Sequence, residues 1–297
     1  MKQVVITGAS TGIGRATVED LLAHGYHVFG SVRQEAAAAA LQAQLGQNFT
    51  PLLFDVTDEA AVKAAADTVA DLLNGQGLYA LINNAGIGIG GPLMHQPLAE
   101  VRQVLEVNVL GTLAVTQAFL PLLGARTPRT PNPGRIINIS SVGGKITFPF
   151  LGAYAASKHA LEALSDALRR ELMLYGIEVS VIEPGAVRTE IWDKAEQEDI
   201  SHYEHTDYAG ILARFQEGFI AQGRAGASPE KVARVIREAL ESQHPRARYA
   251  LPDHFFTGWL LPRWLPDHRV DRLIASQLGL VQQQSKNLGI DLSRNGP

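Results

Sequence analysis

Residues 2–14 read KQVVITGASTGIG, and this stretch decides the fold. Val4, Val5 and Ile6 form a β-branched run of strand character. Gly8, Gly12 and Gly14 interrupt it, and Arg15–His24 continues with helical spacing. Glycines let a backbone turn sharply and approach a ligand closely. The helix N-terminus behind such a turn offers free N–H groups and partial positive charge to a phosphate. Gly8, Ser10, Thr11, Gly12, Ile13 and Gly14 are therefore candidates for holding a dinucleotide pyrophosphate. The spacing is G-x-x-x-G-x-G, a variant of the usual G-x-G-x-x-G. A plain tight strand–helix turn is the structural alternative. Gly8–Gly12 also matches the G-x-S-x-G elbow of serine hydrolases, but that elbow follows several strands. Here it follows the first, and no Asp and His stand out at later strand ends to complete a triad.

Working outward, strand and helix patterns alternate. Strands are expected at 26–32, 49–54, 78–83, 135–139, 177–182 and 248–251. Helices are expected at 35–45, from an Asp58 cap to Leu73, at 98–123 and at 154–175. A further helix starts at Ser228-Pro229, with serine capping and proline at its first position. Residues 127–134 (TPRTPNPG) read as a surface loop. Such alternation implies parallel strands joined by crossover helices. The expected fold is a single α/β, Rossmann-type doubly wound sheet of about seven strands. It occupies 1–251, with a polar helical segment at 190–225 and a C-terminal extension at 252–297.

Composition narrows the function classes. The chain has 297 residues, 46% of them apolar, enough to bury a sizeable core. Its net charge is −4, with no basic excess that points to nucleic acid. It contains no cysteine, so disulfides and thiolate metal sites are excluded. The N-terminus has no long apolar core of a signal peptide. No stretch reaches about 18 consecutive apolar residues. A cytoplasmic enzyme is expected. Residues 255–265 (FFTGWLLPRWL) are the exception, reading as pocket wall, partner surface or shallow peripheral membrane contact.

Two residues carry a chemistry of their own. Tyr154 and Lys158 stand four apart and share one helix face. A free phenol titrates near pKa ~10. A neighbouring cation favours the phenolate and brings it toward the working range of a proton relay. Ser141, at the end of a strand before this helix, can hydrogen-bond a substrate oxygen; Ser140 competes for that role.

The glycine loop, Asn83-Asn84-Ala85-Gly86, Asn108, Ser141, Tyr154 and Lys158 together resemble the short-chain dehydrogenase/reductase family. The similarity spans residues 2–251. The stretch 141–158 looks closest to members acting on hydroxysteroids and retinoids. The resemblance implies interconversion of a carbonyl and an alcohol by hydride transfer, with Tyr154 as acid/base. It implies that Lys158 also binds the nicotinamide ribose. It favours Ser141 over Ser140 by its interval to Tyr154. It implies that Asn108 holds a water linking Lys158 to solvent. Asn84, Ala85 and Gly86 would pass the adenosine side of the cofactor, and Asp55 with Val56 the adenine. Pro184, Gly185, Val187 and Thr189 would contact the nicotinamide. A non-catalytic NADP-binding sensor or scaffold on the same fold is the alternative.

The 2′-position of the adenosine ribose is read about 20 residues past the glycine loop. The segment there is Gly30-Ser31-Val32-Arg33, with no acid. Arg33, helped by Ser31, suits a 2′-phosphate, so NADP(H) is favoured over NAD(H). Thr11 stands where many NADP-using relatives carry a basic residue, and Arg15 is a weaker helper. The segment 190–225 falls where the family has its substrate lid. Trp192, Tyr203, Tyr208, Phe215 and Phe219 there either line an apolar pocket or pack the lid. His202, Glu204 and His205 read as lid surface, and no metal is expected. Phe255, Phe256, Trp259, Leu260, Leu261 and Trp264 suggest a bulky hydrophobic small-molecule substrate or an interface. Ala153, Ala156, Ala160, Ala163 and Ala167 form a small-residue helix face suited to a homodimer or homotetramer.

Overall fold

The computed structural model describes residues 1–128, 131–253 and 259–280. Seven strands make one parallel sheet: β1 (Gln3–Ile6), β2 (His27–Val32), β3 (Phe49–Leu53), β4 (Ala80–Asn83), β5 (Arg135–Ile139), β6 (Glu178–Pro184) and β7 (Arg248–Leu251). Their order is β3-β2-β1-β4-β5-β6-β7, and every pairing is parallel. The chain reverses its winding between β1 and β4, where doubly wound sheets open a crevice at the strands' carboxyl ends.

Side-chain alternation along the strands explains the layers. Val4 and Ile6 face one side with α1 (Gly12–Ala23) and α2 (Glu35–Leu45). Val5 faces the other, with α3 (Glu59–Leu73). Asp58 caps α3 as expected, its carboxylate accepting the Ala61 N–H at 3.0 Å. The apolar run after β4 forms α4 (Leu98–Leu105) and α5 (Thr112–Leu123), joined by a wider π-helical stretch, Glu106–Gly111. One continuous helix was expected there. The π stretch carries Asn108 at its centre, the kind of bulge found at functional sites. By length and composition alone Leu98–Leu123 would cross a membrane. Here Val115, Phe119 and Leu123 pack on the sheet.

α6 (Gly152–Glu171) begins two residues before Tyr154 and lies over β6. The segment between β6 and the next crossover holds α7 (Ile191–Glu196) and α8 (Ala209–Arg224). α9 (Pro229–Glu241) returns to pack on α1. Its cap Ser228 is extended as expected, but its hydroxyl pairs with Glu230 in place of a backbone N–H. α10 (Asp267–Leu278) buries none of its residues fully. In the extension Trp259 is buried and Trp264 exposed. Phe255 and Phe256 lie outside the described residues. α10 lies alongside α6: a cavity of about 700 Å³ is lined by His159, Glu162, Ala163 and Asp166 on one side and Val270 and Ile274 on the other. Ala153 of the proposed small-residue face turns inward and is buried, whereas Ala156 and Ala163 are exposed.

Candidate active site

The glycine loop is a backbone construction. Gly14 lies so close to the preceding turn that a Cβ there would overlap the Gly8 carbonyl oxygen and Asn84 Nδ2. Gly12 has φ +57°, a left-handed conformation costly to other residues. Ser10 and Thr11 are exposed at the rim, and Ile13 packs partly on the core. Thr7, which the sequence reading passed over, ties this loop to the next. Its Oγ1 accepts the N–H groups of Asn84 and Ala85, both at 2.9 Å. Asn84 Nδ2 donates back to the Thr7 and Gly8 carbonyls at 2.9 and 3.1 Å.

Ser31 departs from its expected role. It is buried, and its hydroxyl accepts the Gly8 N–H at 3.0 Å, so it braces the loop from beneath. Arg33 is 70% exposed and its NH1 lies 3.9 Å from Asp55 Oδ2, which leaves the guanidinium accessible to a phosphate. Burial raises the Asp55 carboxyl, but hydrogen bonds from Thr57 and the Arg33 charge outweigh it and hold it below the usual range. Val56 is buried against Gly111. Arg15 is committed to Glu19 and Gln44.

The chain brings Tyr154, Lys158, Ser141 and Asn108 together at the carboxyl ends of β4 and β5. Gly86 sits between two of them: a Cβ there would stand 3.2 Å from Asn108 Oδ1 and 3.6 Å from Lys158 Nζ. Ser141 hydrogen-bonds Tyr154 and also accepts the Gly143 N–H at 3.0 Å. Ser140 faces away, toward Gly144 and Glu162. Lys158 is buried, with Nζ 5.8 Å from the Tyr154 ring centre. Burial pulls its ammonium down to about 8, while Glu162 raises it. The phenol of Tyr154 behaves differently from the sequence expectation. Burial pushes it up, and the Ser141 hydrogen bond offsets only part of that rise.

Asn108 is a satisfied amide. Its Oδ1 accepts the Ile87 N–H, and its Nδ2 donates to Ile87 O and Ser157 Oγ, all within 2.9 Å. Both amide protons hold the loop after β4 against α6. A water would have to be held by what the side chain has left, the second lone pair of Oδ1.

The loop after β6 is clamped from the end of β7 and the start of the extension, again unseen in the sequence. Gly185 donates to Leu251 O at 2.9 Å, and Ala186 donates to Asp253 Oδ2 at 3.3 Å. Pro184 ends β6; Val187 is buried, its carbonyl accepting Trp192 Nε1–H at 2.7 Å. Thr189 lies against Gly12. The lid aromatics pack on one another: Trp192 on Phe219 and over Gly223, Phe215 on Phe219, and Phe150 on both Phe215 and Tyr208. Tyr203 is fully buried. Exposed apolar side chains on the segments that follow β4, β5 and β6 include Leu93, Met94, Phe148 and Ile191, the last of these opening α7. Among the described residues no group of three or more His, Asp or Glu is arranged to hold a metal.

A glycine loop at the switch point of a parallel sheet, beside a Tyr/Lys/Ser cluster, defines a dinucleotide-dependent oxidoreductase. The short chain dehydrogenase family model matches residues 2–200. The chain is 40% identical over 285 residues to the NADPH-dependent 3-dehydrocapnine reductase of Ornithobacterium rhinotracheale, covering 96% of this chain and all of that one. It is 34% identical over 285 residues to human retinol dehydrogenase 5, covering 91% of this chain and 87% of that one. A short-chain dehydrogenase structure from Streptomyces avermitilis superposes with a TM-score of 0.71 at 28% identity, covering 96% and 98% of the two chains. The chain belongs to the short-chain dehydrogenase/reductase family and is an oxidoreductase of the kind that acts on CH–OH groups.

Proposed function

We propose that this chain reduces the carbonyl group of an apolar substrate with NADPH. The observation that carries the reading is the meeting of Tyr154, Ser141 and Lys158 beside a glycine loop with no room for a side chain at Gly14. That backbone cradle fits a dinucleotide, and the resemblance of the whole chain to an NADPH-dependent reductase supports the choice of cofactor. Ser10, Thr11, Gly12, Ile13 and Gly14 would hold its pyrophosphate, and Arg33 its 2′-phosphate. Asp55, Val56, Asn84, Ala85 and Gly86 would border the adenosine. Pro184, Gly185, Val187 and Thr189 would border the nicotinamide, with Lys158 on its ribose. Bound NADPH supplies the hydride.

The protein's part is the proton and the orientation. The substrate oxygen accepts hydrogen bonds from the Tyr154 and Ser141 hydroxyls. Tyr154 gives up its proton as that oxygen becomes an alcohol. The Lys158 ammonium stabilises the phenolate left behind. Asn108 keeps the loop after β4 in register with α6. The exposed apolar side chains Leu93, Met94, Phe148 and Ile191, on the segments that follow β4, β5 and β6, support a hydrophobic substrate better than the lid aromatics do, since those are spent on packing. Assembly as a homodimer or homotetramer through the small-residue face of α6 belongs to the same reading, with α10 of the extension lying along one side of that helix.

The test mixes the protein with NADPH and a panel of carbonyls, following nicotinamide absorbance. Long-chain ketones or decalones should turn over better than small polar ketols. Tyr154→Phe should abolish turnover and leave NADPH affinity within about twofold, since binding does not use the phenol proton. Loss of NADPH binding in that variant would make Tyr154 structural.

A further inference from the structure

The lid touches the glycine loop through one hydrogen bond. Glu190, the residue from which α7 starts, accepts the Gly12 N–H through Oε2 at 3.1 Å. Gly12 is the first residue of α1, a twelve-residue helix, and its free N–H groups carry partial positive charge. An anion is favoured at that end, and in this structure the anion is a carboxylate of the chain itself. Thr189, next to it in sequence, lies against the same glycine. Among the described residues Glu190 has no salt bridge of its own. It is exposed, so nothing but this bond fixes where its side chain points.

We infer that Glu190 is a resident competitor for the cofactor's pyrophosphate: it latches the start of the lid to the glycine loop and must swing away when the dinucleotide enters. This rests on the proposed binding of NADPH at that loop. Two negative groups at one helix terminus repel each other, and only one can use the Gly12 N–H. The carboxylate is the mobile partner, because it sits on an exposed side chain. Its departure undoes the one hydrogen bond from Glu190 to the glycine loop without dismantling the lid, whose first turn keeps the Trp192 Nε1–H bond to the Val187 carbonyl. α7 and α8 stay joined through Arg224, which pairs with Asp193 at 3.0 Å and Glu196 at 2.6 Å. Cofactor occupancy and the position of the Glu190 side chain are thereby linked, and the native carboxylate weakens cofactor binding.

Binding, not turnover, is the test. NADPH is titrated into wild-type protein, Glu190→Gln and Glu190→Ala, followed by calorimetry, and the melting temperature of each is taken with and without NADPH. Removing the charge should tighten NADPH binding at least about fivefold in both variants, and NADPH should raise their melting temperature more than it raises that of the wild type. A gain in affinity on losing a contact is not an outcome of general damage. Unchanged or weaker binding in both variants, with folded circular dichroism spectra, overturns the inference. If the wild-type chain binds no NADPH at all, the cofactor reading itself falls and the latch falls with it.

Discussion

Lys158 donates through Nζ to the carbonyl oxygen of Ile139 at 2.9 Å, which ties α6 to the last residue of β5. The amine is thus held at the sheet's carboxyl edge by backbone, out of water. Its altered acidity follows from that placement, and so does the first prediction.

In the free enzyme the Lys158 ammonium, pulled down to about 8 by burial, is charged below that pH and neutral above it. Carbonyl reduction needs the ammonium beside the phenolate that forms. The kcat/KM for reduction should therefore be level below about pH 8 and fall above it. Glu162 raises the same group, so Glu162→Gln should move the fall to lower pH. A pH–rate profile from pH 6 to 10 checks this; a break at the same pH in the variant would count against the assignment.

Gly14→Ala should damage the cofactor site. The added methyl would run into the Gly8 carbonyl and Asn84 Nδ2, and the former is rigid backbone. A loss of roughly 1–3 kcal/mol in stability is expected, as for other overpacked sites, together with at least a tenfold rise in the NADPH Kd. Gly218→Ala is the control: a methyl added there would meet no neighbouring atom, and the residue sits inside α8. That change should stabilise the fold by about 0.5–1 kcal/mol. Urea melts and NADPH titration measure both.

Arg33→Ala should weaken NADPH selectively. The side chain is exposed and its contact with Asp55, at 3.9 Å, is a loose one. A charge-assisted bond to a 2′-phosphate contributes about 1.5–3 kcal/mol. The Kd for NADPH should rise about tenfold or more while that for NADH stays where it is. Equal losses for both nucleotides would show that Arg33 supports the loop and does not read the phosphate.

Glu183 makes a prediction about stability and pH. It is buried on β6 between Glu162, Lys145 and Arg248, and burial together with repulsion from Glu162 raises its carboxyl to about 7. An acid raised on folding keeps its proton where the unfolded chain has lost it. Its ionisation cost is absent below the ordinary carboxylate range, grows up to about pH 7 and is complete above. Glu183→Gln removes that cost. The melting temperature of the variant relative to wild type should be more favourable at pH 8 than at pH 5. The opposite trend would mean that Arg248 and Lys145 more than offset the burial.

The alternation of β-branched runs with helical stripes was enough to announce the parallel sheet, because strand and helix periods are local properties of a few consecutive residues. The glycine loop and the Tyr154–Lys158 spacing were legible for the same reason: one turn and one helix face contain them. Contacts between residues far apart in the chain were not. Ser31 looked like a phosphate ligand until the fold put it under Gly8, and Asn108 had no visible partner until Ile87 and Ser157 came to it. Thr7, Asp253 and Glu190 carried no signal at all, being ordinary residues at ordinary spacings. Burial likewise reversed the expected balance at Tyr154, since how much water a phenol or an ammonium loses depends on everything packed around it. Local order is written in neighbouring residues; solvation and cross-chain hydrogen bonds exist only once distant segments have met.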